Sequence, residues 1–211
     1  MRSLLLISLP LLVASLGAGC AGMLNSSPET AGASAEAPAS VDPRNAAVKP
    51  ARRLVRVGDP FPPFTWSDQN GAPVSTAEIT TGGDALLVFH PGDDSPAARP
   101  AYEFARQRRE QLSSYTTEIL LVSPDSVERN AQTAAAESLR VALLHDPAAW
   151  GARAFGVDVG PAGPAGVTSI LLGREGRVLA VQPGLMDVAG IITALKVRPE
   201  GDRRSVFEGL R

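Results

Sequence analysis

The chain is 211 residues long and nearly balanced in charge, with 20 Lys and Arg against 22 Asp and Glu and a net charge of −2. That balance excludes the strongly basic surface needed to hold a nucleic acid by its phosphates, and a 44% hydrophobic content is that of an ordinary globular protein. One cysteine and two histidines leave no intramolecular disulfide and no histidine-rich metal site to consider.

The first element is a leader. Arg2 precedes an apolar run from Leu4 to Ala14, and Leu16-Gly17-Ala18-Gly19 brings the chain to Cys20. A basic start, a short apolar run and small residues before a cut describe a secretory signal peptide over 1–19, and the run is shorter than the ~20 residues of a membrane span. A cysteine directly after small residues resembles the bacterial lipobox, with Gly17 where leucine is usual and Leu16 one place further out. The resemblance implies that Cys20 is acylated and becomes the first mature residue. Buried acyl chains then anchor the protein to a membrane. Ala21, rather than an aspartate, after the cysteine implies a lipid-anchored protein of the bacterial cell envelope, at the outer membrane and facing the periplasm. The alternative is ordinary secretion with a fortuitous cysteine.

Residues 20–52 read as the lipidated N-terminus and a spacer of Ala, Ser, Pro and Glu, too poor in large apolar residues to offset its ordering entropy. As a flexible coil it would span roughly 30 Å. Residues 53–197 are punctuated as one domain. Ala85–His90, Glu118–Ser123, Arg140–Leu144 and Ser169–Leu172 are continuous apolar runs, the pattern of strands buried on both faces. The last turns through Gly173-Arg174-Glu175-Gly176 into Arg177–Val181 as a hairpin.

Helical patterns alternate with these strands. After Pro100, Ala101, Phe104, Ala105, Arg108 and Leu112 share one face. Val127–Glu137 follows, with Asp125 or Ser126 as its N-cap. Ala148–Phe155 and Met186–Lys196 complete the set. The alternation predicts an α/β fold, a three-layer sandwich with a central mixed sheet. Residues 198–211 form a tail mixing Arg198, Arg203 and Arg204 with Val206, Phe207 and Leu210, either docked, facing a partner, or frayed.

Three stretches resemble the alkyl hydroperoxide reductase/thiol-specific antioxidant (peroxiredoxin) family. Val57–Ser75, with Gly58-Asp59-Pro60-Phe61 and Asn70-Gly71, resembles its N-terminal hairpin. Leu121–Ser126, with Leu144-His145-Asp146-Pro147 one unit later, resembles its strand-to-helix turn. Phe89–Arg99 aligns with its peroxidatic loop. The resemblance implies a thioredoxin-like fold and an antioxidant thiol oxidoreductase.

Two departures qualify that activity. The family's loop has a proline, a Thr or Ser four places on, and the peroxidatic cysteine three places later. Here these are Pro91, Ser95 and Ala98. The family's active-site arginine falls at Val167. Peroxide reduction needs a thiolate made available by a helix N-terminus and a cation. Ala98 offers no nucleophile and Val167 no cation, so no catalytic residue, cofactor or metal is expected. The domain is expected to be a binding or structural module, its partners the membrane through acylated Cys20 and either a second copy or another envelope protein. A weaker reading makes the Pro91–Ala98 loop a small-ligand site.

Ser95, His90 and Asp93 or Asp94 contain the residue types of a hydrolytic triad, but crowded into six consecutive positions they are expected to be turn and strand-end residues. Asp93 and Asp94 are read as turn or cap residues rather than metal ligands. Gly160–Gly166 has the composition of a phosphate loop but precedes a strand, and is read as a flexible connection.

Overall fold

The computed structural model describes residues 42–51, 53–115 and 117–197. The expected leader, Cys20, most of the expected spacer and the expected tail lie outside the described residues.

The core follows from the continuous apolar runs. Strand β3 (Asp84–Phe89) is buried at all six positions. Its side chains alternate between two clusters, with Leu86 and Val88 on one face and Ala85, Leu87 and Phe89 on the other. Strands β4 (Thr117–Ser123) and β8 (Thr168–Leu172) divide in the same way. Ile119, Leu121 and Leu171 join the first cluster; Leu120, Val122, Ile170 and Leu172 join the second. A run apolar at every position therefore serves two helical layers at once. Each fully buried Leu, Ile or Phe contributes about 1.5–3 kcal/mol of transfer free energy.

Seven strands form the central sheet in the order β2-β1-β5-β4-β3-β8-β9. Besides those above they are β1 (Thr65–Ser67), β2 (Pro73–Ser75), β5 (Ala142–His145) and β9 (Val178–Pro183). β3, β4 and β5 run parallel, and the remaining pairings are antiparallel, so the sheet is mixed. Helices α2 (Ala98–Ser113), α3 (Val127–Ala136) and α5 (Val188–Lys196) supply the first cluster through residues such as Ala101, Leu112, Ala134 and Ile191. On the opposite face α1 (Thr76–Thr81) and α4 (Trp150–Ala154) contribute Ile79, Ala152 and Ala154. The expected three-layer α/β sandwich is the observed fold, with β1 and β2 as its N-terminal hairpin.

Several local expectations change. Residues 42–51, read as spacer, carry defined structure: Pro43–Asn45 is a short 3₁₀ turn capped by Asp42. Asn45 is buried, and its amide donates to Thr65 O at 2.7 Å and accepts from Thr65 N at 2.9 Å. One side chain thus supplies the hydrogen bonds that a neighbouring strand would give β1. Helix α1 is an addition to the predicted set, and Ser75 and Glu78 form a complete capping box at its start. Of the two cap candidates for α3, Ser126 is the one that bonds, to Arg129 N. The glycine-rich stretch is no loose connection. It forms a two-stranded ladder of β6 (Val159–Gly160) and β7 (Gly163–Pro164), and Gly163, at φ 131°, has no room for a Cβ beside Pro124.

Candidate functional site

The loop between β3 and α2 leaves the sheet at His90, whose N–H donates to Val122 O at 3.0 Å and prolongs the parallel ladder by one rung. Gly92 then takes φ 100°, where a Cβ would sit 2.8 Å from Asp125 Oδ1. Only glycine satisfies both the backbone angle and the close approach. The next amide, Asp93 N–H, donates to Asp125 Oδ2 at 2.9 Å. Ser95 turns back on its own backbone: its Oγ accepts from Ala97 N–H at 3.3 Å and its carbonyl from Ala98 N–H at 3.0 Å. The Ser95 hydroxyl oxygen thus helps start the helix, whose N-cap, Ala97, has no side chain able to do so.

Ala98 is the first residue of α2 and only 1% exposed. It lies in the same apolar cluster as Leu86, Val88 and Met186, and half-buried Val167 packs against that cluster. Ala98 and Val167 thus both belong to a hydrocarbon environment. Pro91, half-buried, begins the loop.

Asp93 is the hub of the site. Its carboxylate accepts from Tyr102 Oη on α2 and from Thr133 Oγ1 on α3, and from Arg129 Nε at 2.9 Å. A second Arg129 nitrogen reaches Asp94 Oδ1 at 3.5 Å. One side chain thus ties the loop to two helices. The Tyr102 hydroxyl is held well above its ordinary pKa by burial and by this hydrogen bond to Asp93. Asp125, beneath the loop, has its pKa raised by burial foremost, against the amide bond from Asp93 that lowers it. A cleft of about 660 Å³ opens between α2 and α3 above these groups, bordered by Arg99, Gln132 and Glu137.

His90 is 1% exposed; its Nδ1 accepts Gly92 N–H at 3.3 Å and its ring stands edge-on to Tyr102. Burial pulls its pKa down to about 4, although Asp93 acts to raise it. It is a neutral core group, not a poised base. His145 ends β5 and its Nδ1 lies 2.7 Å from Asp125 O. Ser95, His90 and Asp93 make no hydrogen bonds to one another's side chains, since each bonds to other groups. Among the described residues no group of three or more His, Cys, Asp or Glu could hold a metal ion.

The AhpC/TSA family matches residues 57–181, a stretch holding both the hairpin and the loop. The chain belongs to that family. Within the AhpC/TSA family it is 30% identical over 125 residues to the chloroplastic peroxiredoxin Q of Sedum lineare, covering 59% of this chain and 63% of that protein. The chain thus spans less than two thirds of that curated relative's length. Among solved structures it resembles the peroxidoxin BcpB of Mycobacterium tuberculosis, with a TM-score of 0.58, 24% identity, and coverage of 68% of this chain and 98% of the other. A cysteine-to-serine variant of PrxQ from Xylella fastidiosa gives a TM-score of 0.59 at 16% identity, covering 72% of this chain and all of that one. These structural likenesses establish the thioredoxin-like fold.

The Asp93 hub was missed in the sequence. Its partner Thr133 lies 40 residues away in the chain, on another helix, and no local signal links the two.

Proposed function

We propose that this chain is a peroxiredoxin-fold domain without peroxidase chemistry, carried to the bacterial cell envelope and anchored there through acylated Cys20, where it serves as a binding or structural module. The observation that carries the reading is Ala98, buried at the first position of α2 where the family places its nucleophile, in a domain whose sequence contains no cysteine. A peroxide O–O bond is cleaved by a thiolate that takes one oxygen and becomes a sulfenic acid. A methyl group cannot do this. The engagement of the Ser95 hydroxyl and the apolar setting of Val167 support the same reading.

The mature protein, incubated with hydrogen peroxide or an organic hydroperoxide and a dithiol donor, is expected to consume peroxide no faster than the donor alone. Turnover at enzymatic rates overturns the proposal. Family membership favours the alternative, an antioxidant thiol oxidoreductase, and the same assay separates the two. The anchor is tested by labelling cells with a radioactive fatty acid: label on the wild-type protein and none on Cys20→Ser is expected. Crosslinking in intact membranes then distinguishes a second copy from another envelope protein as the working partner.

A further inference from the structure

We propose that the cleft where β1 parts from β5 is a binding site for a neutral saccharide, whose ring lies by its C–H face on aromatic side chains and by its hydroxyls on Ser67 and His145. The two strands share a single paired rung, Ser67 opposite His145. Where the next rung would fall, the N–H and C=O of Thr65 bond to the Asn45 side chain instead. The sheet is therefore split at the carboxyl end of β5, the end at which α/β sheets place their ligands. The split holds a cleft of about 410 Å³, within the range of small-molecule sites. Because it is a gap in the sheet, both faces of β1 line it, Phe64 and Trp66 from one and Thr65 and Ser67 from the other.

One wall is apolar. Trp150, half-buried at the first position of α4, stands beside Pro147, and the Phe64 and Trp66 rings lie tilted with centroids 4.9 Å apart. A strained turn sets Trp150 in place. Ala148 (φ 52°, ψ 21°) and Ala149 (φ 53°, ψ 39°) both adopt the left-handed conformation, which disfavours a Cβ and collects at ligand clamps. Asp146 imposes it by reaching past both alanines, its Oδ1 accepting Gly151 N–H at 2.6 Å and its Oδ2 Ala152 N–H at 2.9 Å. Trp150 Nε1 is buried and has no acceptor. Such donors are rare in folded proteins, and a ligand oxygen at the edge of the indole supplies the missing partner.

The other wall is polar and carries no net charge. The hydroxyls of Thr65 and Ser67 make no hydrogen bond among the described residues. His145 Nδ1 lies 2.7 Å from Asp125 O, and a carbonyl only accepts, so Nδ1 carries the proton. In the neutral imidazole Nε2 is then an acceptor. The ion pair at the rim, Arg44 with Asp42, is closed on itself, Arg44 Nε lying 3.0 Å from each carboxylate oxygen.

These walls select among ligands. A charged ligand finds its own countercharge already paired. A wholly apolar one strips water from two hydroxyls and an imidazole and returns no hydrogen bond. A pyranose ring satisfies both walls: its C–H face spreads over the aromatic side, while its hydroxyls donate to His145 Nε2 and exchange hydrogen bonds with Ser67 and Thr65. None of the cleft's residues belongs to the β3–α2 loop, so the site stands whatever the peroxidase assay returns.

Trp66 and Trp150 are the chain's two tryptophans and both line the cleft, so indole emission reports on its occupancy. The mature protein is titrated with glucose, N-acetylglucosamine, cellobiose and N,N′-diacetylchitobiose, and with cyclohexanol and cyclohexanecarboxylate as apolar and charged rings. A saturable change in emission is expected with at least one saccharide at millimolar concentration or below. Ser67→Ala is expected to weaken it about three- to tenfold, the effect of one neutral hydrogen bond. Saturation-transfer NMR on the wild type needs no variant: irradiation of aromatic protons is expected to carry signal to the saccharide's C–H protons. The proposal is overturned if no saccharide binds up to about 20 mM. It is equally overturned if Ser67→Ala binds as the wild type does, if no transfer reaches the C–H protons, or if either cyclohexane probe binds more tightly than every saccharide.

Discussion

Two buried groups on opposite faces of the pH scale make Asp146→Asn an informative change. His90 is held down from 6.5 to about 4 by burial, so between those values the unfolded chain binds a proton that the folded one refuses. Stability rises with pH across that window. Asp146 is held up from 3.8 to about 6, so the folded chain carries the extra proton and stability falls with pH from about 4 to 6. At about 1.4 kcal/mol per unit, each shift is worth about 3 kcal/mol over its window. The two slopes oppose one another, and the wild-type contribution from this pair is nearly flat between pH 4 and 6. Asparagine at 146 removes one slope and leaves the other. The stability difference, variant minus wild type, is expected to climb by about 3 kcal/mol between pH 4 and 7. Urea unfolding followed by far-ultraviolet circular dichroism at several pH values reads this difference. A difference that stays constant with pH, or that falls as pH rises, refutes the assignment of a raised pKa to Asp146.

Three other outcomes follow from particular contacts. Asp93→Ala strands the Tyr102 and Thr133 hydroxyls and leaves Arg129 only its longer contact to Asp94, so chemical denaturation is expected to show a loss of about 2–4 kcal/mol, and a loss under about 0.5 kcal/mol would mean the hub is not a tie between α2 and α3. Gly156→Ala places a Cβ 1.9 Å from Arg53 O at φ 71°, and is expected to cost more than about 3 kcal/mol or abolish folding. Gly166→Ala, where a Cβ meets nothing within 4 Å, is the control, expected to cost less than about 1 kcal/mol. Ala98→Cys sets the amide end of α2 against apolar burial; adding Val167→Arg to the same cluster is expected to bring the thiol below its ordinary pKa of about 8.5, as read from the pH dependence of alkylation. Equal thiol pKa values in the single and double variants would show that residue 167 does not face position 98.

What was legible in the sequence was what repeats along the chain. Five consecutive apolar residues from Ala85, or four from Ile119, can only be buried on both sides, and that requirement alone places helices above and below a sheet. Ser75 and Glu78 carried an equally local signal for α1, but the helix they cap is only six residues long and shows little apolar periodicity. Interactions between distant segments were illegible for the opposite reason. Nothing around Asn45 announces that its amide completes β1, because the groups it satisfies are backbone atoms 20 residues away. The left-handed pair Ala148 and Ala149 runs against the preference of alanine itself, and is set by Asp146 reaching past it to Gly151.

On the proposed reading, family and activity separate at the candidate site, and the geometry of the loop permits it. The shape of the β3–α2 loop is fixed by Gly92 passing close to Asp125, by Ser95 starting α2, and by Asp93 bonding outward to α2 and α3. None of these bonds involves the side chain of residue 98. The same backbone path can therefore carry a cysteine or an alanine, and the family's pattern of strands and turns extends over 57–181 without depending on the nucleophile. Chemistry at such a site rests on one atom, whereas the fold rests on dozens of apolar contacts. If Asp93 is the tie that holds the loop, removing it disturbs stability while any peroxide chemistry stays where Ala98 leaves it. An Asp93 variant that kept its stability and gained peroxidase turnover would contradict both halves of that separation.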